Sequence, residues 1–117
     1  MKEQGNVIIV KILHLPLKAK WYKMQEIGEK TEEYREINPY WVKRLCMVEE
    51  GGQFTIKRFT HVLFRYGYTR RCFIHKIDDI TIGLGNPEWG APIGREVFII
   101  KHHKEESPFI VGKEFKQ

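Results

Sequence analysis

Regular alternation of strand and helix patterns stops near residue 46 of this 117-residue chain. Up to that point the pattern predicts strand, helix, strand and helix, and after it strand patterns predominate. A doubly wound parallel sheet needs the alternation to continue, so the pattern disfavours that class. The order instead predicts an α+β fold, in which a small mixed β-barrel carries two short helices packed on its outside.

The first helix is predicted from an apolar stripe. Residues 7–13 are rich in β-branched side chains and predict a buried strand. The next segment, between Pro16 and Gly28, has apolar residues at helical spacing, which predict a helix of about three turns that Gly28 ends. These residues are Leu17, Trp21, Met24 and Ile27.

Later elements follow from similar local signals. Pro39 is expected to open the second helix, and Gly-rich segments at 49–53 and 83–94 are expected to be loops. The remaining strands are predicted at residues 31–37, 60–66, 72–82, 96–101 and 109–111.

Length and apolar content predict a single domain over residues 1–117, with a core at about 7–101 and a polar tail at 102–117. No apolar run approaches the roughly 18 residues of a membrane span, and the first residues do not resemble a signal peptide. Cys46 and Cys72 are therefore expected to be reduced thiols in a cytoplasmic protein.

The positive charge is concentrated in the middle of the chain. The whole sequence has a formal charge of +5, whereas residues 37–77 alone carry +6. A local excess of this kind fits a phosphate or polyanion partner, and it fits a solvated basic face equally well.

The densest polar segment covers residues 28–36, at the end of the first helix and along the following strand. Because alternate residues of a strand share a face, Thr31, Glu33 and Arg35 are expected to point the same way. That row presents a hydroxyl, a carboxylate and a guanidinium. On residue types alone, a salt-bridged surface strand is the favoured interpretation.

A family resemblance changes this weighting. The run at 15–36 resembles the opening of ASCH domains, small PUA-like β-barrels, of the stand-alone type found in bacteria and phages. Their hallmark is an apolar strand, a Trp-bearing helix and a Gly-x-Lys-Thr segment, followed by an acidic or hydroxyl residue and Arg. The matching residues are Gly28, Lys30, Thr31, Glu33 and Arg35. The segment at 64–67 and the strand at 96–101 extend the resemblance to about residues 7–101.

The resemblance implies a ligand cleft beside the barrel. Its floor would hold Lys30, Glu33 and Arg35, with Thr31 beside them and Lys18 and Trp21 near the rim. A cation can bind phosphate, a carboxylate can accept from an exocyclic amine, and an aromatic ring can stack on a base. The expected function is therefore binding of RNA or a nucleotide.

An enzyme is the alternative. Small bacterial relatives hydrolyse the amide of N4-acetylcytidine with the Lys of this segment, a Thr three residues later and a loop Glu. Lys30 matches the first position, Glu33 replaces the Thr, and Glu88 in the loop at 83–94 could match the third. Glu88 has a second interpretation, as a carboxylate that only fixes a Pro-rich turn.

A second surface is predicted at a basic, aromatic stretch that could contact a nucleic-acid backbone. The same residues could instead be turn packing and solvated charge. They are Arg65, Tyr68, Arg70 and Arg71, with Lys57 and Arg58 as an extension. Neither a metal nor a cofactor is expected, because the five histidines lack metal-ligand spacing and the glycines lack a dinucleotide fingerprint.

Overall fold

Seven strands and two helices make up residues 9–105, the part of the chain that the computed structural model describes. The elements are β1 Ile12–Leu17, α1 Ala19–Glu26, β2 Glu32–Glu36, α2 Pro39–Leu45, β3 Cys46–Val48, β4 Phe54–Ile56, β5 His61–Tyr66, β6 Cys72–Gly83 and β7 Val97–His103. One turn of 3-10 helix lies at Pro87–Trp89, before β7. The strand predicted at 109–111 and the start of the one predicted at 7–13 lie outside the described residues.

Five strands form a mixed sheet in the order β1-β5-β6-β7-β2, and β3 pairs with β4 in a separate hairpin. The β1–β5 pair is parallel and the other pairs are antiparallel. The sheet curls into a half-barrel accompanied by the two helices, as the α+β prediction requires. Arg35 of β2 donates to the carbonyl of Pro16 in β1 at 3.1 Å, so a side chain joins the two edge strands.

The core lies on the inner face of the curled sheet. In β1 every second side chain is buried, namely Leu13, Leu15 and Leu17, as expected for a strand with one face on the core. In β7 both faces are covered: Phe98 and Ile100 join the main core, while Val97 and Ile99 join a second cluster with Tyr34. This two-sided burial explains the continuous apolar run of β7.

The first helix differs from its prediction. Pro16 lies in β1 rather than at a helix start, which an edge strand permits because the missing N–H is not needed by a neighbour. The helix has eight residues, and its buried side chains are Tyr22 and Gln25. Ile27 is 73% exposed, so the predicted apolar stripe was wrong. Leu17 belongs to β1, where it is buried as part of the strand's alternating pattern. The helix therefore begins later than predicted and buries a different face, that of Tyr22 and Gln25.

The later elements follow the predictions closely. The strands predicted at 31–37, 60–66, 72–82 and 96–101 are all present with small changes at their ends. Helix α2 begins at Pro39, and Asn38 caps it by accepting from the Trp41 N–H at 2.9 Å. The β3–β4 hairpin around the predicted loop was missed. Strand β7 continues through His103, which takes His102 out of the predicted polar tail.

Across residues 9–105, none of the helices has the length and apolar character needed to cross a membrane.

Candidate functional site

An open cleft of about 300 Å³ lies where the end of β1, the start of α1, strand β2 and the loop before β7 meet. It is lined by Pro16, Leu17, Lys18, Trp21, Glu33, Tyr34, Arg35, Trp89 and Gly90. Two indole rings, one carboxylate and two cations therefore face one space. The volume is at the lower end of the range of about 300–1,000 Å³ for small-molecule sites.

Glu33 is the buried acidic group of the cleft. The residue is 5% exposed, and its carboxylate receives hydrogen bonds from Lys30 Nζ and Gln25 Nε2, both at 2.9 Å on Oε1. Arg35 pairs with the other oxygen, Oε2. A buried carboxylate with this many donors is held in one orientation.

Lys30 lies beneath the cleft. It is 1% exposed, and besides Glu33 it donates to the Glu32 carbonyl at 2.5 Å. Burial, together with a smaller effect of the Arg35 charge, lowers the pKa of its ammonium from 10.5 to about 7, although the Glu32 carboxylate opposes the change. The turn at Gly28 positions it, because the backbone N–H of Lys30 bonds to the Met24 carbonyl at the end of α1.

Arg35 forms the opposite wall. Its guanidinium donates to the carbonyls of Tyr34 and Pro16, at 2.9 and 3.1 Å, and lies 5.3 Å from the centre of the Trp41 ring. Burial and the neighbouring Arg44 lower its pKa to about 10, so it is protonated at neutral pH. Helix α2 thus supports the cleft from behind through Trp41.

The loop before β7 is anchored to β2 by Tyr34. The Tyr34 hydroxyl accepts from the Asn86 N–H at 2.9 Å and donates to a Glu32 carboxylate oxygen at 2.7 Å. Burial raises the pKa of this phenol to about 12. Gly90 ends the 3-10 turn at a φ of +99°, and a Cβ there would lie 3.0 Å from the Trp21 ring. Because Gly90 lets the loop approach Trp21 closely, Trp21 and the loop residue Trp89 both line the cleft.

Two buried histidines continue the polar network into the core. His102 Nε2 lies 2.7 Å from Gln25 Oε1, and His102 Nδ1 lies 2.9 Å from His75 Nδ1. Burial, with smaller effects from nearby charges, lowers the pKa of His75 to about 4 and that of His102 to about 3. Both rings are neutral at pH 7.

The structure brings together most of the ligand-binding residues predicted from sequence. Lys18, Trp21, Glu33 and Arg35 line the cleft, and Lys30 lies directly behind Glu33. Thr31 is exposed and contributes its backbone carbonyl to the His102 N–H. Glu88 is exposed on the 3-10 turn; its neighbours Trp89 and Gly90 reach the cleft lining instead.

The predicted basic flank lies in two places. Arg65, Tyr68, Arg70 and Arg71 belong to the β5–β6 turn and its approach, and Arg71 stacks on Tyr22 and Tyr66 at 5.2 and 5.1 Å. Lys57 and Arg58 precede β5 and line a groove between residues 56–60 and 76–80. Because β5 has six residues, the two groups are roughly 17 Å or more apart along that strand.

Sequence reasoning missed Gln25, His75, His102, Trp89 and Gly90. Two of them carried a usable signal. His102 continues the alternation of Phe98 and Ile100, which assigns it to the core face of β7. Gln25 lies three residues after Tyr22, on the same side of α1, but a polar residue in that row was not expected to be buried.

Within residues 9–105, no three or more His, Cys, Asp or Glu side chains are grouped so that they could hold a metal ion. Comparison of the chain with protein-family models, with curated proteins and with solved structures gave no match in any of the three.

Proposed function

We propose that the cleft binds an unpaired nucleobase, either of RNA or of a free nucleotide, as a PUA-like domain of the ASCH type would. The observation that carries the proposal is the buried Glu33 carboxylate facing an open cleft that Trp21 and Trp89 also line. Indole rings offer stacking surfaces to any base, and a stacked base contributes about 1–3 kcal/mol.

Glu33 adds a preference among bases. Each carboxylate oxygen accepts about two hydrogen bonds, so the bonds from Lys30 and Gln25 fill Oε1. Oε2 receives Arg35 and keeps one position for a ligand. Beside the donor Arg35, an acceptor of this kind selects a base that pairs an exocyclic amino N–H with an unprotonated ring nitrogen, as adenine and cytosine do.

The cations complete the fit. Lys18 is exposed at the rim, where it can meet a phosphate, whereas Arg35 is held within the wall. This arrangement suits a nucleotide better than an acidic peptide, because the charges surround one small aromatic-lined space.

Titration calorimetry with the four ribonucleosides tests the proposal. We expect adenosine or cytidine to bind, and we expect at least tenfold weaker binding by N6,N6-dimethyladenosine or N4,N4-dimethylcytidine, which lack the amino N–H. Glu33→Gln should weaken binding to a similar degree. Glu88→Gln, which changes an exposed carboxylate outside the lining, is the matched control. Equal binding of the methylated and unmethylated nucleosides would contradict the proposal.

The amidohydrolase alternative is supported by the position of Lys30, which lies behind Glu33 and donates to it at 2.9 Å. Burial lowers the pKa of Lys30 to about 7, so its amine is a candidate base at neutral pH. In that mechanism Glu33, with Lys30 behind it as the proton acceptor, activates a water molecule that adds to the acetyl carbonyl carbon. The C–N bond then breaks, the amine of cytidine takes up the proton and acetate is released, with Glu88 approaching from the loop. Incubation with N4-acetylcytidine and detection of cytidine tests it. In this test an amidohydrolase should release cytidine, and Glu88→Gln should abolish the release, whereas a pure binding site releases no cytidine with either protein.

A further inference from the structure

A continuous chain of hydrogen bonds leads from the core to the cleft. It runs from His75 to His102, from His102 to Gln25, and from Gln25 to Glu33, with donor–acceptor distances of 2.9, 2.7 and 2.9 Å. The four residues come from β6, β7, α1 and β2, so the chain links four elements. Their exposed fractions are 3%, 2%, 0% and 5%.

The Glu33 carboxylate at the end of the chain determines which atom donates and which accepts in each hydrogen bond. An ionised carboxylate only accepts, so the Gln25 amide presents its NH₂ to Glu33 and its oxygen to His102. That oxygen also only accepts, so His102 carries its proton on Nε2. The Nδ1 of a neutral His102 is then an acceptor, and His75 donates to it from Nδ1.

We propose that Gln25, His102 and His75 are positioning residues of the cleft, which hold Glu33 Oε1 away from the ligand and leave Oε2 as the acceptor that the ligand meets. This inference rests on the proposed function. None of the three residues lines the cleft, so their effect on a ligand passes through Glu33.

A purely structural role explains the chain less well. Phe64 packs against the His102 ring at 4.8 Å, so the surroundings suit an apolar ring at that position. Burying His75 and His102 removes their hydration, and the hydrogen bonds that replace it add only modestly to the free energy of unfolding. The chain of hydrogen bonds is explained if it fixes the orientation of the Glu33 carboxylate, as hydrogen bonds to metal-ligating side chains fix the orientation of those ligands.

Three variants test the proposal with adenosine and cytidine as probes. His102→Phe removes the donor to Gln25 and keeps a ring. His102→Gln restores an N–H close to the position of Nε2. His61→Phe is the matched control, since His61 is also a buried histidine but bonds to Thr60 and Glu105.

We expect His102→Phe to weaken binding at least fivefold, His102→Gln to return it to within about twofold of the natural chain, and His61→Phe to leave it unchanged. Equal binding by His102→Phe and His61→Phe would overturn the proposal. If His102→Phe does not fold, Gln25→Met interrupts the same chain and takes its place in the comparison.

A measurement without ligand separates this inference from the proposed function. Long-range ¹H–¹⁵N spectra at pH 7 should show His102 protonated on Nε2 and His75 on Nδ1. The carboxylate carbon signal of Glu33 should move in His102→Phe, return in His102→Gln and stay in His61→Phe. If the natural chain binds neither nucleoside, the proposed function fails while these signals still decide the positioning role. The opposite tautomers, or an unmoved Glu33 signal in His102→Phe, would refute it.

Discussion

The cleft and the groove between residues 56–60 and 76–80 both contain charges of the two signs, but Glu33 of the cleft is buried against Lys30, whereas the charged side chains of the groove are not buried. The groove is nearly twice as large, at about 570 Å³ against 300 Å³, and its charged residues include Lys57, Arg58 and Asp78. Glu33, which lines the cleft, is 5% exposed, and Lys30, which lies behind it, is 1% exposed; each has several hydrogen-bond partners. Size therefore does not identify the better site.

The difference lies in what burial does to a charge. Exposed ion pairs contribute about 0–1 kcal/mol and change partners easily, so they do not present a defined pattern to a ligand. Buried charges lose their hydration and are stable only with fixed hydrogen bonds. The buried charges at the cleft therefore have fixed positions, and removing one of them is expected to cost more stability than removing an exposed charge of the groove.

The largest expected effect is on stability, from Lys30→Ala. Removing one partner of a buried ion pair typically costs about 3–5 kcal/mol, and here Glu33 would keep only Arg35 and Gln25. Urea denaturation should show a loss of about 3 kcal/mol. Lys76→Ala is the control, because its ammonium lies 4.0 Å from Glu105 and its side chain is 49% exposed. A loss below about 1 kcal/mol for Lys30→Ala would place Lys30 in the same class as the groove charges.

Acid stability tests the buried histidines. Their pKa values are about 4 and 3 in the folded chain, against 6.5 for an ordinary histidine. Below pH 6.5 the unfolded chain takes up protons that the folded chain does not, so the free energy of unfolding falls as the pH is lowered. Each proton contributes up to about 1.4 kcal/mol per pH unit. We expect roughly 3 kcal/mol of the loss between pH 6.5 and 5, about half of it from each histidine, to disappear in the double variant His75→Phe/His102→Phe. Parallel curves for the two proteins would contradict neutral, buried rings.

Glycine positions separate backbone strain from cleft contact. Gly90 and Gly51 both have positive φ, at +99° and +92°, but only at Gly90 would a Cβ meet another residue, the Trp21 ring at 3.0 Å. We expect Gly51→Ala to cost about 1 kcal/mol and Gly90→Ala about 2 kcal/mol. Tryptophan emission should shift in Gly90→Ala alone. The same cost in both variants, with unchanged emission, would show that the loop does not press on Trp21.

The elements that were predicted well are those whose sequence pattern depends on neighbouring residues. Strand β2, the Pro39 start of α2 and strands β5 to β7 follow from alternation, proline geometry and apolar runs, which depend on neighbouring residues. The segment at 28–36 was singled out as polar and dense, and its Glu33 and Arg35 both line the cleft, as the strand period requires.

The remaining features depend on contacts between distant parts of the chain. Gln25 and His102 are 77 residues apart, and their hydrogen bond exists only because the tertiary fold brings α1 and β7 together at this point. The position of Lys30 behind Glu33, rather than in the cleft lining, depends on the turn after α1 and on burial by Trp21 and Tyr34, whose rings lie 5.3 and 5.0 Å from its ammonium. Short strands such as β3 and β4, with three residues each, leave too little pattern to detect.

The smallest effect is expected at the basic residues, and it separates the two ends of β5. The β5–β6 turn is linked to the cleft side of the fold, because the Gly67 N–H bonds to the carbonyl of Leu17 at 2.8 Å and Leu17 lines the cleft. A single-stranded RNA with one base in the cleft should therefore pass Arg70 rather than Lys57. Because each phosphate contact on a single strand contributes about 0.7 to the slope of log affinity against log salt, Arg70→Ala should reduce that slope by about 0.7. Lys57→Ala should leave it unchanged, because Lys57 precedes the other end of β5, and its ammonium lies 3.5 Å from the Lys43 carbonyl. Equal slopes for all three proteins would mean that the RNA backbone does not cross the turn, and a change for Lys57→Ala alone would direct it to the groove.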